Sequence, residues 1–260
     1  MRHRYSLVVA IAMLATAGTA FAADNPWVGK WKLDPSQSKL TGDTIHFASA
    51  AGGEMTLTEA GHTSKFKMDG QPYKSWSGAE GTWKKIDDNT FESHWTRNGT
   101  DLGTDTWTIA PDGKSLKVQT KGTRPDGSSM DDSAEYARVA GKSGLVGSWK
   151  STKADMNEDR TFEMAADGAD GMKWTIPEMK ADVSLKMDGK DYPAEGPTVP
   201  KGITLALTPV SSTSFKMMEK MNGTPLWHGT YTLSDDGKKM TVVGSPAKTN
   251  EPTTEIYLKQ

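Results

Sequence analysis

The sequence predicts an all-β protein, folded as two tandem antiparallel up-and-down barrels of roughly eight strands each. Three observations carry this expectation. Tight-turn dipeptides recur along the chain, the residues between them alternate in polarity, and the whole pattern is written twice.

The turns come first. Asp69-Gly70, Asn98-Gly99, Asp112-Gly113 and Asp126-Gly127 are followed by Asp188-Gly189, Asn222-Gly223 and Asp236-Gly237. Asx-Gly pairs tolerate the positive φ angles that two-residue hairpin turns demand. Between the turns the period is two, the signature of a half-buried strand. Phe91, Ser93 and Trp95 share one face, with Glu92, His94 and Thr96 on the other. Trp107 and Ile109 alternate with Thr106 and Thr108. Phe215, Met217 and Met221 share a face, as do Trp227, Tyr231 and Leu233. A single short helix is expected, over Ala154 to Met164.

The repeat sets the domain organisation. Gly29-Lys30-Trp31-Lys32 returns as Gly147-Ser148-Trp149-Lys150, and Phe66-Lys67-Met68-Asp69-Gly70 as Leu185-Lys186-Met187-Asp188-Gly189. Asn98-Gly99-Thr100 returns as Asn222-Gly223-Thr224, and Tyr136-Ala137-Arg138 as Tyr257-Leu258-Lys259. The order is kept while the offset drifts by a few residues, as duplication with loop insertions requires. The copies are expected to span 23–140 and 141–260. Their seam is the small, polar run Ala140-Gly141-Lys142-Ser143-Gly144, read as a linker. Consecutive antiparallel strands lose their exposed edges by closing into a barrel, with a flattened two-sheet sandwich as the rival arrangement.

Composition excludes several functions. The chain has 260 residues with 31 basic and 33 acidic side chains, a net charge of −2 and no cysteine. A nucleic-acid binder would show a basic surplus. Without cysteine there are no disulfides, thiolate metal sites or cysteine nucleophiles. At the N-terminus Arg2 and Arg4 precede an apolar run from Leu7 to Ala17 and the small residues Ala20-Phe21-Ala22. That order is the pattern of a secretory signal peptide spanning 1–22 and cleaved after Ala22. The apolar run is too short for a membrane span, which takes ~20 residues. A soluble periplasmic or secreted protein is the expectation.

Each copy opens with Gly-x-Trp and closes with a basic residue on its last strand. This pattern resembles the lipocalin and calycin barrels. The second copy also resembles secreted, lipocalin-like bacterial proteins of uncharacterised function, through Asp188-Gly189-Lys190-Asp191-Tyr192-Pro193, Ser234-Asp235-Asp236-Gly237-Lys238 and Tyr257-Leu258-Lys259-Gln260. The resemblance implies that a Trp at the closed barrel end packs under a cation: Trp31 under Arg138 and Trp149 under Lys259. It also implies a tendency to bind small apolar or amphipathic molecules.

The candidate ligand-binding residues are the aromatic and thioether side chains on inward strand faces. They are Phe91, Trp95 and Trp107 in the first copy, and Met217, Met221, Trp227 and Tyr231 in the second. Packing alone would also account for them, since buried Trp and Met commonly fill cores. Nine of the 14 Met fall in the second copy, and Met217, Met218 and Met221 raise the alternative of a Cu(I) site. His46, His62, His94 and His228 show no metal-ligand spacing. The chain carries no nucleophile elbow, P-loop, zinc-protease helix or dinucleotide fingerprint. No cofactor, metal or catalytic residue is therefore expected. An enzyme on the same scaffold would draw first on His94 or His228. The other alternative is an envelope module with filled barrels.

Overall fold

The computed structural model describes residues 25–155, 160–249 and 251–260. The expected signal peptide lies outside them. The first copy contributes β1 (Gly29–Leu33), β2 (Thr44–Ser49), β3 (Met55–Glu59), β4 (His62–Phe66), β5 (Asp69–Lys74), β6 (Glu80–Lys85), β7 (Thr90–Arg97), β8 (Thr100–Ile109), β9 (Ser115–Thr123) and β10 (Ser129–Ala140). The second contributes β11 (Gly147–Asp155), β12 (Thr161–Asp167), β13 (Gly171–Ile176), β14 (Ala181–Lys186), β15 (Tyr192–Pro193), β16 (Ile203–Ser211), β17 (Ser214–Met221), β18 (Thr224–Leu233), β19 (Lys239–Pro246) and β20 (Thr253–Lys259). All pairings between them are antiparallel, in two ten-stranded sheets that each curl into a nearly closed barrel.

The all-β tandem architecture is as expected, but the strand number is ten per barrel rather than eight. The extra strands are short and bounded by turns outside the Asx-Gly pattern. Ala60-Gly61, with φ of 48° and 75°, reverses the chain between β3 and β4. The expected helix over Ala154–Met164 is also corrected: Ala154 ends β11 and Thr161–Met164 begins β12, with 156–159 outside the described residues. Two of the expected hairpin turns are corrected. Asp69-Gly70 lies within β5 at a break in register, and Asp188-Gly189 follows β14. Neither joins paired strands, because β4 and β5, like β14 and β15, stand at opposite ends of their sheets. Asn98-Gly99 and Asn222-Gly223 both take positive φ at each residue, the geometry that matches strand twist in a two-residue hairpin.

The copies exchange their opening strands. The first barrel consists of β2–β10 and β11, whereas β1 lies in the second barrel between β12 and β20. Along the chain, the first barrel is one continuous segment, 44–155. It is inserted between β1 and the rest of the second barrel. The seam expected as a linker is instead a hairpin connection, joining β10 to β11 within one barrel.

Loop length explains the exchange. Six residues separate Ala140 from Gly147, so the next strand folds back beside β10, and Arg138 faces Trp149 in register. Short connections join antiparallel neighbours. The equivalent place beside β20 is then left to β1, which reaches it because ten residues, 34–43, separate it from β2. Exchange of equivalent elements keeps every pairing that two separate barrels would have.

This corrects the expected barrel-end pairs. Arg138 covers Trp149, with its guanidinium carbon 3.9 Å from the ring centroid, and Lys259 covers Trp31 at 5.3 Å. The rest of the expected arrangement is duplicated faithfully. Trp31 donates its indole N–H to the Trp27 carbonyl and Trp149 to the Leu145 carbonyl, both at 2.9 Å. Both indoles are fully buried. Arg138 is held more firmly, donating to the carbonyls of Gly113, Val146 and Gly144, while Lys259 reaches the Pro26 carbonyl at 3.0 Å. A cation over an indole contributes about 0.5–2 kcal/mol.

The barrels close differently. In the second, paired backbone bonds of 2.9 Å between Asp182 and Glu195 bridge the ends of the sheet. In the first, the Trp76 backbone N–H donates to Ser64 Oγ at 3.0 Å beside the gap.

Candidate functional site

The duplication allows the two interiors to be compared position by position, because cross-strand register aligns them. In the first barrel β7 turns Phe91, Ser93 and Trp95 inward, and in the second β17 turns Phe215, Met217 and Glu219 inward. On the next strand Gly103, Asp105 and Trp107 correspond to Trp227, Gly229 and Tyr231.

The first interior is filled. Trp83 lies between Phe66, stacked at 4.3 Å, and the rings of Trp95 and Trp107 at 5.9 and 5.4 Å. Trp95 fits because its strand neighbour is Gly81: a Cβ there would lie 2.5 Å from the indole. The polar groups among these rings bind each other. Buried Ser93 accepts the N–H groups of Trp95 and Trp107, each at 3.0 Å. Asp105 accepts from Thr120 at 2.6 Å, Trp95 at 2.9 Å and Ser93 at 3.2 Å. Burial raises the Asp105 carboxyl above its ordinary range, opposed by these hydrogen bonds. Burial likewise raises Glu59, which accepts the Trp76 N–H at 3.2 Å. Such a satisfied network specifies packing. The void left among Leu57, Phe66, Tyr73, Trp83 and Trp95 is about 10 Å³, room for about one water.

The second interior is open. A cavity of about 370 Å³ is lined by Phe162, Trp174, Val183, Met217, Tyr231 and Tyr257 on the strands, with Glu219 among them. Thr198, Val199 and Pro200, between β15 and β16, lie over its rim. The space exists because the bulk has been moved. Glu219 stands where the first barrel has Trp95. The second barrel's own indole, Trp227, lies across Gly229 and Gly244, where a Cβ would come within 2.1 and 2.0 Å of the ring. The Ser–Asp–Thr network is replaced by Met217, Gly229 and Gly244, so no polar mesh ties the walls together.

The electrostatics of the cavity follow from burial. Desolvation raises the Glu219 carboxyl above its ordinary range, and its side chain has no hydrogen bond or ion pair to a described residue. Burial raises the Tyr231 hydroxyl, reinforced by the carboxylates of Glu255 and Glu219. Tyr257 is raised by burial and by Glu255, to which it donates at 2.6 Å. The Trp174 indole N–H is buried without a partner.

Of the residues singled out from the sequence, Met217 and Tyr231 line this cavity. Trp227 packs against Tyr231 at 6.5 Å. Phe91, Trp95 and Trp107 belong to the filled interior. Met221 lies beside Trp76, Arg97 and Pro200, where the two barrels meet. Met218 pairs with His228 beside a shallow pocket that Met217 also borders, while Met221 lies apart from both. His94 is exposed and bonded to Asp101 at 3.2 Å, and neither it nor His228 lines the cavity. Among the described residues no group of three His, Asp or Glu is placed to hold a metal ion. No helix of the described residues is long and apolar enough to cross a membrane.

Glu219 was the residue that sequence reasoning passed over, along with Phe162 and Trp174. The signal was present: the alternation that puts Met217 and Met221 on one face puts Glu219 between them.

Contacts from the first barrel hold the cavity rim at two points. The Arg97 guanidinium donates to the Thr198 carbonyl and to Ser77 Oγ. The Asp126 backbone N–H donates to the Glu178 carbonyl at 3.2 Å, beside Met179 at the other side of the mouth.

The chain matches no family model, and no curated protein or solved structure is significantly similar to it.

Proposed function

We propose that this is an exported, lipocalin-like protein that binds a small apolar or amphipathic molecule in its second barrel, while the first barrel braces the mouth of the site. One observation carries the reading: of two barrels with the same strand plan, one is packed solid and the other keeps a cavity of about 370 Å³ walled by aromatic and thioether side chains. Pockets of a few hundred Å³ with few polar groups are typical of small-molecule sites. Apolar burial at ~25 cal/mol per Å² supplies the driving force. The basic and apolar order of residues 2–22 supports export, which places the site in the periplasm or outside the cell.

The first barrel favours a supporting role because the Ser93, Asp105 and Thr120 groups of its interior are hydrogen-bonded to one another and to the Trp95 and Trp107 indoles, and its core is full. Through Arg97 and Asp126 it fixes both sides of the other barrel's mouth.

The test uses the neutral fluorescent probe N-phenyl-1-naphthylamine. The parent protein is expected to bind one equivalent, and Val199→Trp, at the rim, to abolish binding with the fold intact by circular dichroism. Equal binding by the parent and the Val199→Trp variant would refute the cavity as the site.

A further inference from the structure

The lining of the cavity is sharply asymmetric in charge. Its ionisable acidic members are Asp182 and Glu219, and it includes no Lys, Arg or His. Asp182 is neutralised at the surface by Lys173, 2.7 Å away. Glu219 is not: in register it faces Leu205 on β16 and Trp227 on β18, and the neighbouring Lys220 is engaged by Asp191 at 2.8 Å. From β20, Glu255 adds a second carboxylate near Tyr231, partnered by the Tyr257 hydroxyl; a cation, Arg160, acts on Tyr257 from outside the lining.

Around this charge stand the rings of Phe162, Trp174, Tyr231 and Tyr257. Their contacts are tilted or edge-on, at 32°, 71° and 50° with centroids 4.9 to 6.0 Å apart, so they do not close one another's faces by parallel stacking. Tyr231 gives one face to Phe215, stacked at 4.7 Å. Aromatic faces beside a carboxylate are the chemistry that receives an organic cation. A half-buried carboxylate without a partner is a costly arrangement that an ammonium group relieves. A fatty-acid anion would bring a like charge against Glu219, and a neutral alcohol would donate one hydrogen bond but leave the charge uncompensated.

We infer that the cavity selects a cationic amphiphile, an amine or quaternary ammonium group on a compact apolar body, with Glu219 as its counter-ion and the aromatic rings as its walls. This rests on the second barrel's cavity being the ligand site. It narrows the ligand from apolar molecules in general to organic cations.

The experiment is calorimetric titration of the protein at pH 7 with three ligands sharing one tail: octylammonium, octanol and octanoate. Octylammonium is expected to bind tighter than either by roughly tenfold or more, the worth of one charge-assisted bond in a desolvated site. Glu219→Gln is expected to remove that margin and leave octanol binding unchanged. Octanol or octanoate binding as tightly as octylammonium would overturn the cation preference while leaving the cavity reading intact. So would a margin that survives Glu219→Gln. If none of the three binds, or if Val199→Trp binds all three as the parent does, the cavity reading falls and the preference with it.

Discussion

The two barrels share a strand plan and differ in what fills them. In the first, Trp95 lies over Gly81 and its N–H joins the network of Ser93, Asp105 and Thr120. In the second, Glu219, Met217, Gly229 and Gly244 occupy the matching positions, and Trp227 lies flat over the two glycines. Trp95 and Trp227 are each seated over glycine, so the indole that moved between positions carries its glycine clearance with it. The difference extends to the chain path. The packed barrel is continuous, and the hollow one is completed by a strand, Gly29–Leu33, that lies in sequence on the far side of the whole packed barrel from its main segment, which begins at Thr161. The packed barrel is thus one uninterrupted stretch of chain, and the hollow one is assembled from both sides of it.

The sharpest way to break this comparison is to cut the chain. Residues 44–155 hold all ten strands of the first barrel and are expected to fold alone, with a cooperative denaturation transition. Residues 161–260 lack β1 and leave the edges of β12 and β20 open. They are expected to be unfolded or aggregated, and to be restored by a peptide of residues 25–33. A stable monomeric 161–260 fragment would show that the exchanged strand is dispensable.

A smaller but still large effect follows from moving the second barrel's residue into the first. Trp95→Glu removes a ring from the packed cluster and puts a second carboxylate beside Asp105. A loss of about 3–5 kcal/mol is expected, as for other deletions of a core aromatic side chain, measured by urea denaturation. A loss under about 1 kcal/mol, the scale of an ordinary surface change, would mean that the first interior is not rigidly packed.

The barrel ends give a graded test of their likeness. Arg138→Ala removes a cation–π contact and three carbonyl partners, and is expected to cost about 1–3 kcal/mol. Lys259→Ala removes a longer contact and one partner, and is expected to cost about 0.5–1 kcal/mol. The reverse order in thermal melts would contradict the geometry.

The smallest effect is a pH dependence confined to the hollow barrel. Glu219 has a folded-state pKa above its unfolded value because burial disfavours its charge. Below the unfolded value of ~4.3 the group is protonated in both states and costs nothing. As the pH rises through the folded pKa, the unfolded state ionises more readily and stability falls. Glu219→Gln should therefore be more stable than the parent at neutral pH and equal to it in acid. Melting curves across that range check the sign.

Much of the fold was legible in the sequence. Asn98-Gly99, Asn222-Gly223 and the alternation along β7 and β17 are local signals that match the observed hairpins and faces as far as Glu219; beyond it the register between β17 and β18 shifts and Met221 leaves the cavity. The short strands bounded by Ala60-Gly61 carry no Asx-Gly mark. The site was half legible. Met217 and Tyr231 follow from alternation, but Phe91, Trp95 and Trp107 read equally well as a pocket. Only the volume left between strands separates a wall from a filling. Glu219 was hidden by the expectation that an inward face is apolar.

The sequence by itself determined the class, the duplication and the pairing partners of each Gly-x-Trp strand in kind. It could not decide which copy supplies that strand, because β1 and β11 present the same edge, the same indole and the same carbonyl acceptor, and would satisfy either barrel. The tertiary structure decided it through a length: the six-residue connection after β10 folds β11 back beside its predecessor and leaves β1 to close the other barrel.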